Sequence, residues 1–150
     1  MIPVVLDASV VAAACGWTSE PYQCVVLVAR RRLRSFVTRE IVTEWRSTIT
    51  KMELKGAKFR RSPWPALDGL IGLSRPVSPA PLGKQRSRDP GDDPYLACAL
   101  AARAEFVITR DPDLLELEKP FGIQILTPRA FLSRLQAGVD RIGSLRPRGC

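Results

Sequence analysis

The feature that most constrains the fold is the stretch 88–115, in which two groups of acidic residues enclose an alanine-rich helix and an apolar strand. The first group ends at Asp92 and Asp93, where an Asp-Pro-Gly turn leads into the helix. The second group begins at Asp111, just after the predicted strand 105–108. A crossover helix in a parallel α/β sheet returns the chain to its starting edge, so the two groups can lie near each other. The stretch therefore predicts a parallel α/β unit with acidic residues at one edge.

The rest of the chain repeats this alternation of apolar strands and amphipathic helices. The first strand ends abruptly on Asp7, and Cys24 and Cys98 fall inside apolar helical patterns, where buried thiols are common. The predicted strands are 2–6, 35–37, 76–78, 105–108 and 122–126, and the predicted helices are 7–14, 19–33, 38–51, 66–73, 93–103, a short one around 114–115, and 128–135. This order predicts the α/β class, with a mainly parallel central sheet flanked by helices on both sides.

We predict a single domain, residues 1–136, followed by a basic, flexible tail, residues 137–150. The 150 residues suffice to bury roughly two thirds of the unfolded surface, so that neither a disulfide nor a structural metal is needed for folding. The four cysteines include no Cys-x-x-Cys pair, which indicates a reducing environment. No signal-peptide pattern and no apolar run near the ~20 residues of a membrane span occur. We therefore expect a soluble, cytoplasmic protein with no membrane partner.

The charge of the chain and its lack of histidine narrow the function. Lysine and arginine outnumber aspartate and glutamate by 23 to 15, for a formal net charge of +8. This excess favours a polyanionic partner, although it would also serve solubility alone. Histidine is absent, which excludes Ser-His-Asp triads, Cys-His dyads and histidine-ligated zinc. Any chemistry must use carboxylates, hydroxyls or cations.

Four acidic residues from separate segments are candidates for a common site. Asp7 and Asp111 follow the first and fourth predicted strands, and Asp93 begins the helix that leads into the fourth. Glu44 lies at the margin of the apolar stripe of the helix after the second strand. In parallel sheets, ligands bind beyond the carboxyl ends of the strands, near a switch in strand order. Taken singly, each acid is explained by helix capping or a surface charge, but together they could meet in one cleft.

Such a cluster predicts a bound metal ion. Without a cation, gathered carboxylates repel and raise one another's pKa values. Oxygen ligands with no histidine or cysteine select the hard ions Mg²⁺ or Mn²⁺, which bridge to substrate phosphate. Water activated by such an ion can attack phosphorus near neutral pH without a histidine. The residues thus predict metal-dependent hydrolysis of a phosphodiester.

Five segments, taken in order, resemble those of PIN-domain proteins, in particular the toxins of toxin-antitoxin systems related to the VapC group. The resemblance covers about residues 1–135, and the ordered set is specific although each segment is short. The segments are Leu6-Asp-Ala-Ser9, Glu40-Ile-Val-Thr-Glu-Trp45, Asp89-Pro-Gly-Asp-Asp-Pro-Tyr-Leu-Ala-Cys-Ala-Leu100, Phe106-Val-Ile-Thr-Arg-Asp-Pro-Asp-Leu-Leu115 and Ile125-Leu-Thr-Pro-Arg-Ala-Phe-Leu132.

The resemblance implies a three-layer α/β/α fold and Mg²⁺- or Mn²⁺-dependent endoribonuclease cleavage of single-stranded or structured RNA. It also implies a homodimer or higher homo-oligomer, and inhibition by an antitoxin whose tail enters the cleft. Many members carry Asn where Ser9 stands, which changes the hydrogen bonding near the first acid. The residues matching the four acidic metal-site and catalytic positions are Asp7, Glu44, Asp93 and Asp111. The residues that match or resemble auxiliary positions are Ser9, Asp92, Thr109 and Asp113.

Basic side chains outside these segments are candidates for RNA binding. The loop 83–88 is basic and runs directly into the acidic stretch, and one further arginine lies beside the fourth acid. Because the basic loop 83–88 lies outside the five matching segments, the choice of substrate or partner is expected to differ from that of other PIN-domain proteins. The predicted RNA-binding residues are Lys84, Arg86, Arg88 and Arg110.

Three other functions are alternatives to the nuclease. A non-catalytic RNA- or partner-binding module with the same fold and a structural acid cluster is the main alternative. A phospho-acceptor receiver domain fits poorly, because Asp7 has no acidic neighbour and no lysine lies near 106–112. A haloacid-dehalogenase-type phosphatase needs a second aspartate where Ser9 stands. We therefore predict a metal-dependent ribonuclease.

Overall fold

A computed structural model of the protein describes the backbone of residues 1–145 and the side chains of residues 1–138. In this described part of the chain, five strands, all parallel, form one sheet in the order β3-β2-β1-β4-β5. Helices cover the sheet, so that the predicted α/β class with a central parallel sheet is confirmed, as three layers. The strands are β1 Ile2–Leu6, β2 Leu33–Val37, β3 Arg75–Pro76, β4 Phe106–Ile108 and β5 Gln124–Leu126.

Within residues 1–145, seven α-helices connect and cover these strands. α5 packs against β1, β2 and β4, since its small side chains allow a close approach to the sheet. α2 packs against β2, and α7 against β5 and α2. The helices are α1 Ala8–Gly16, α2 Glu20–Ala29, α3 Arg39–Leu54, α4 Trp64–Leu73, α5 Asp93–Ala102, α6 Pro112–Leu115 and α7 Pro128–Leu145.

The junction between α2 and β2 differs from the prediction. The helix predicted to reach residue 33 ends at Ala29, and β2 begins at Leu33 rather than at Ser35. Arg31 adopts a left-handed backbone, with φ of 59°, which reverses the chain between the two elements. The arginines expected at the end of a helix therefore lie in a turn and at the start of a strand.

The last helix is longer than predicted. It was expected to end near residue 135, whereas α7 extends to Leu145. The predicted tail therefore overlaps the end of α7, and its last residues, 146–150 with Cys150, lie outside the described residues. The division into a domain of residues 1–136 and a tail stays a prediction.

The order of the strands creates a switch point in the middle of the sheet. The chain begins at the central strand β1, moves outward through β2 and β3, and then returns to form β4 on the other side of β1. The register pairs Leu6 with Ile108, so that Asp7 and Thr109 leave the sheet side by side. The Asp7 amide donates to the Ile108 carbonyl at 3.1 Å. Such switch points are where parallel sheets bind ligands.

The core confirms the buried thiols predicted from the sequence. Cys24 and Cys98 are fully buried in helices and unpaired, as is Cys15. Burial raises the pKa of Cys15 to about 11 and those of Cys24 and Cys98 to about 12, so that all three behave as apolar core side chains. Within the described part of the chain, no helix is long and apolar enough to cross a bilayer.

Candidate functional site

Asp7 lies buried at the switch point, where β1 ends and α1 begins. Its Oδ1 accepts hydrogen bonds from the Val10 amide at 3.0 Å and from the Ser9 hydroxyl at 2.8 Å. Its Oδ2 accepts a hydrogen bond from the Thr109 hydroxyl. Burial raises the pKa of Asp7 and the charge of Asp111 adds to this, while the three hydrogen bonds oppose it. Asp7 is thus both the N-cap of α1 and a desolvated carboxylate. Its role as a helix cap is therefore compatible with a role in a functional site.

Thr109 links the first acid to Asp111. Its hydroxyl donates to Asp7 and accepts from the Asp111 amide at 2.9 Å. Asp111 caps the short helix α6, and its Oδ1 accepts from the Asp113 amide at 2.8 Å. Because Thr109 is fully buried, it holds the two acids in fixed relative positions. Thr109, which was predicted as an auxiliary residue, thus connects the ends of β1 and β4 through these two hydrogen bonds.

The acid that approaches Asp111 from the start of α5 is Asp92. One carboxylate oxygen each from Asp92, Asp111 and Asp113 lie within 4.8 Å of one another. Burial raises the pKa of Asp92 to about 7, helped by a hydrogen bond to the Asp111 carboxyl group and by its charge. The Ser87 hydroxyl donates to Asp92 at 3.4 Å and opposes this shift. These three carboxylates form the densest acidic cluster among the described residues.

Asp93 does not join this cluster. Its Oδ1 accepts from the Ser87 amide at 2.8 Å and its Oδ2 from the Arg86 amide at 3.0 Å. Both oxygens are therefore occupied by the basic loop 83–88. Successive residues of a helix point about 100° apart, so that Asp92 faces the cleft while its neighbour faces the loop. Of the two neighbours, Asp92 lines the cleft and Asp93 does not, whereas the family resemblance implied Asp93 as the metal ligand and Asp92 as the auxiliary acid; both roles stay predictions.

Glu44 reaches the same cleft from α3. The indole of its neighbour Trp45 donates from Nε1 to the Leu6 carbonyl at 3.1 Å, which anchors α3 against the end of β1. This contact sets Glu44 beside Asp7. Partial burial raises the pKa of Glu44, and the charge of Asp7 contributes, whereas Lys51 lowers it. The predicted meeting of acids from separate segments thus occurs for Asp7, Glu44 and Asp111.

Two residues of the cleft were missed by sequence reasoning. The Tyr95 hydroxyl is buried and accepts from the Ala8 amide at 3.1 Å, which ties α5 to the start of α1. Burial and the nearby charges of Glu44, Asp7 and Asp92 raise the Tyr95 pKa. Thr48 also lines the cleft. Their helical spacing was a usable signal, since Tyr95 follows Asp92 by three residues and Thr48 follows Glu44 by four.

The basic residues predicted to bind RNA divide into two groups. Arg110 is exposed and lines the acidic cleft. The guanidinium of Arg86 donates to the Leu82 carbonyl at 2.9 and 3.2 Å and lies 5.0 Å from the Phe121 ring. Arg88 pairs with Glu116 at 2.7 Å on the surface, and Lys84 is exposed. Of the four, only Arg110 lies in the cleft.

The cleft has a volume of about 360 Å³ and its donor atoms suit a hard divalent cation. Its acidic side chains are Asp7, Glu44, Asp92 and Asp111, with hydroxyls from Ser9, Thr48 and Tyr95. Three of the four carboxylates have raised pKa values, because burial and mutual repulsion disfavour their charged forms. A bound cation would relieve this repulsion. Oxygen-only ligands favour Mg²⁺ or Mn²⁺ over softer metals.

Comparisons with known proteins agree with this architecture. The family model described as the PIN domain matches residues 3–113. The crystal structure of PAE2754 from Pyrobaculum aerophilum is similar, with a TM-score of 0.61, 19% sequence identity and coverage of 91% of this chain and 90% of that chain. At this level of identity the likeness concerns the fold alone. None of the curated proteins matches the chain significantly in sequence.

Proposed function

The chain belongs to the PIN domain family, and from this membership and the acidic cleft we propose that it is a Mg²⁺- or Mn²⁺-dependent endoribonuclease. PIN domains are usually metal-dependent nucleases. The single observation that carries the proposal is the convergence of four carboxylates, from four separate segments, at the switch point of the sheet. The excess of basic residues supports a nucleic-acid substrate.

The proposed metal ligands are taken from the geometry. Asp7, Glu44, Asp92 and Asp111 line the cleft and would hold the cation, with Asp113 beside Asp92 and Asp111. A Mg²⁺ or Mn²⁺ ion held there would polarise the scissile phosphate and lower the pKa of the attacking water. Thr109 keeps Asp7 and Asp111 at a fixed spacing, and Tyr95 fixes α5 against α1. Burial raises the pKa of Asp92 to about 7 in the absence of a cation, so that binding of the cation there should release a proton near neutral pH.

The biological role we propose is that of the toxin of a toxin-antitoxin system, acting in the cytoplasm as a homodimer or higher homo-oligomer. The resemblance of the five sequence segments supports it. A neighbouring small reading frame is the expected observation, and co-expression of its product should abolish RNA cleavage. If the gene stands alone and its expression does not slow growth, the toxin role is wrong and the nuclease activity is unaffected.

Replacement of one acid tests the nuclease proposal. Asp7→Asn should lower RNA cleavage in Mn²⁺ at least about 100-fold, since a neutral amide is a poor ligand for a hard cation. The fold should be kept, because asparagine is also a good helix N-cap. The matched control is Asp68→Asn, which changes an exposed acid of α4 and should leave cleavage unchanged. Undiminished cleavage by Asp7→Asn would refute the proposal.

A non-catalytic RNA- or partner-binding module is the second candidate. The close approach of the Asp92 and Asp111 carboxylate oxygens, within 4.8 Å of each other, favours it, since a shared proton can satisfy the cluster without a cation. Calorimetric titration with Mn²⁺ separates the two functions. Heat of binding that disappears in Asp7→Asn supports the nuclease. Absence of both binding and cleavage across a panel of RNAs supports the module.

A further inference from the structure

A second groove opens beside the acidic cleft. It has a volume of about 720 Å³ and shares Ser9, Thr48 and Arg110 with the cleft. Beyond this shared border it is lined by the end of α1, by α3 and by the segment that follows α3. A polymer bound across the acids would therefore continue into this groove.

The groove is built around the indole of Trp17, which is partly exposed. The Phe59 ring supports this indole, with ring centroids 5.1 Å apart and planes tilted by 37°. A Cβ at Gly16 would lie 2.3 Å from Phe59 Cδ1, so that only glycine permits this approach. The Arg60 amide donates to the Gly16 carbonyl at 2.9 Å and fastens the segment in place. Trp17 is thus held in a fixed position in the groove that borders the acidic cleft.

Cationic and hydroxyl groups line the same groove as the indole. The Arg60 guanidinium donates from Nη1 to the Thr18 hydroxyl at 3.2 Å, and Arg110 stands at the border with the cleft. Both arginines are exposed, and among the described residues that line the groove none is acidic. An aromatic ring and two arginines that line one groove match the pattern of single-stranded nucleic acid sites, in which bases stack on rings and cations contact the backbone.

We propose that this groove, the Trp17 groove, binds the nucleotide adjacent to the scissile phosphate of a single-stranded RNA. The base stacks on Trp17, and Arg60 and Arg110 contact the flanking phosphates. Because Phe59 has already immobilised the indole, stacking costs little side-chain entropy. The inference rests on the proposed function for the position of the scissile phosphate, but RNA binding by the groove can be measured without cleavage.

The first test measures stacking with the full chain in EDTA, which prevents cleavage. A short labelled oligouridylate should bind Trp17→Ala about 5- to 100-fold more weakly than the unchanged protein, the loss expected for one stacked base. Trp17→Phe keeps an aromatic ring and should keep most of the affinity. Its binding shows that a loss in Trp17→Ala comes from the missing ring and not from misfolding. Trp64→Ala is the matched control, because that indole is partly exposed and bonds to Glu53 outside the groove. The same length of abasic ribose phosphate should not distinguish Trp17→Ala from the unchanged protein.

The second test measures the phosphate contact. Arg60→Ala should reduce the slope of log affinity against log salt concentration by about 0.7, the value for one phosphate of a single strand. Arg75→Ala, which changes an exposed arginine of β3, should leave the slope unchanged. Two results would overturn the proposed base stacking in the Trp17 groove. One is equal oligouridylate affinity of Trp17→Ala and the unchanged protein; the other is an equal loss of affinity in Trp17→Ala for the abasic oligomer and for oligouridylate. Failure of the unchanged protein to cleave RNA in Mn²⁺, with these binding results intact, would overturn the nuclease instead.

Discussion

Asp92 and Asp93 are neighbours in sequence, yet their carboxylates serve different parts of the molecule. A carboxylate oxygen of Asp92 lies within 4.8 Å of one of Asp111, and burial raises the pKa of Asp92 to about 7. Asp93 accepts from the backbone amides of Arg86 and Ser87 and so shapes the basic loop. The same loop supplies the Ser87 hydroxyl to Asp92. Asp93 therefore acts on the cleft indirectly, by positioning the loop.

The two aspartates should consequently respond differently to the same substitution. Asp92→Asn should lose Mn²⁺ binding and cleavage, each by at least about 10-fold, because it removes a ligand. Asp93→Asn should keep metal binding but speed hydrogen exchange at the Arg86 and Ser87 amides, since an amide oxygen accepts more weakly than a carboxylate. Calorimetry with Mn²⁺ and native-state exchange measure the two effects. Loss of metal binding in Asp93→Asn with Asp92→Asn unaffected would restore the assignment made from sequence.

The end of α1 is where one element determines the shape of another. Gly16 is the last residue of α1, and the segment carrying Phe59 packs directly on it. Trp17 follows with an extended backbone and stacks near Phe59. Because Gly16 has no side chain, the Phe59 ring can pack against the end of α1, although the two residues are far apart in sequence. The Trp17 groove depends on this packing.

Gly16→Ala tests this dependence. The added Cβ must displace Phe59, so the free energy of unfolding should fall by about 1–3 kcal/mol, as expected for overpacking. Gly72→Ala in α4 is the matched control: a Cβ there meets nothing within 4 Å, and it should stabilise the protein by about 0.5–1 kcal/mol. Urea denaturation measures both. A Gly16→Ala variant as stable as Gly72→Ala would show that Phe59 is not held against α1.

The fold as a whole concentrates desolvated acids at one point of a basic molecule. The net charge is +8, while the pKa values of Asp7, Glu44 and Asp92 are all raised, mainly by burial. An acid whose pKa is higher in the folded state binds its proton more tightly there. Its contribution to stability is therefore complete below the pKa of the unfolded chain and is lost as the pH rises towards the folded pKa. The acidic cleft destabilises the metal-free protein near neutral pH.

Thermal denaturation across pH should reveal this contribution. Without metal, the free energy of unfolding should decline between about pH 4 and pH 7, the interval between the ordinary and raised pKa values of Asp92. Asp92→Asn should flatten the decline. At pH 7.5, Mn²⁺ at about 100 times its Kd should stabilise the protein by about 2.7 kcal/mol, and at pH 4 much less. Identical profiles for Asp92→Asn and the unchanged protein would contradict the raised pKa.

Local patterns in the sequence were enough to predict the parallel α/β fold and the placement of acids at strand ends. A buried strand ending on Asp7 and another followed by Asp111 must bring both residues to one edge, because parallel strands share their direction. Trp45 lies in the apolar stripe of α3, and its bond to the Leu6 carbonyl holds the neighbouring Glu44 near that edge. Periodicity and charge carry this information, since both depend on near neighbours in the chain.

Only the tertiary structure decided which aspartate at the start of α5 faces the cleft. Asp92 and Asp93 are chemically identical, and a rotation of about 100° between successive helical residues separates their roles. The same holds for Tyr95, whose hydroxyl joins the cleft by a bond to Ala8, and for Trp17, whose position depends on Phe59. The spacing of Tyr95 from Asp92 could place the two on one face of α5, but the contacts with Ala8 and Phe59 join segments distant in sequence, so no local pattern could specify them. The sequence determined that the acids meet, and packing determined which ones do and what lies beside them.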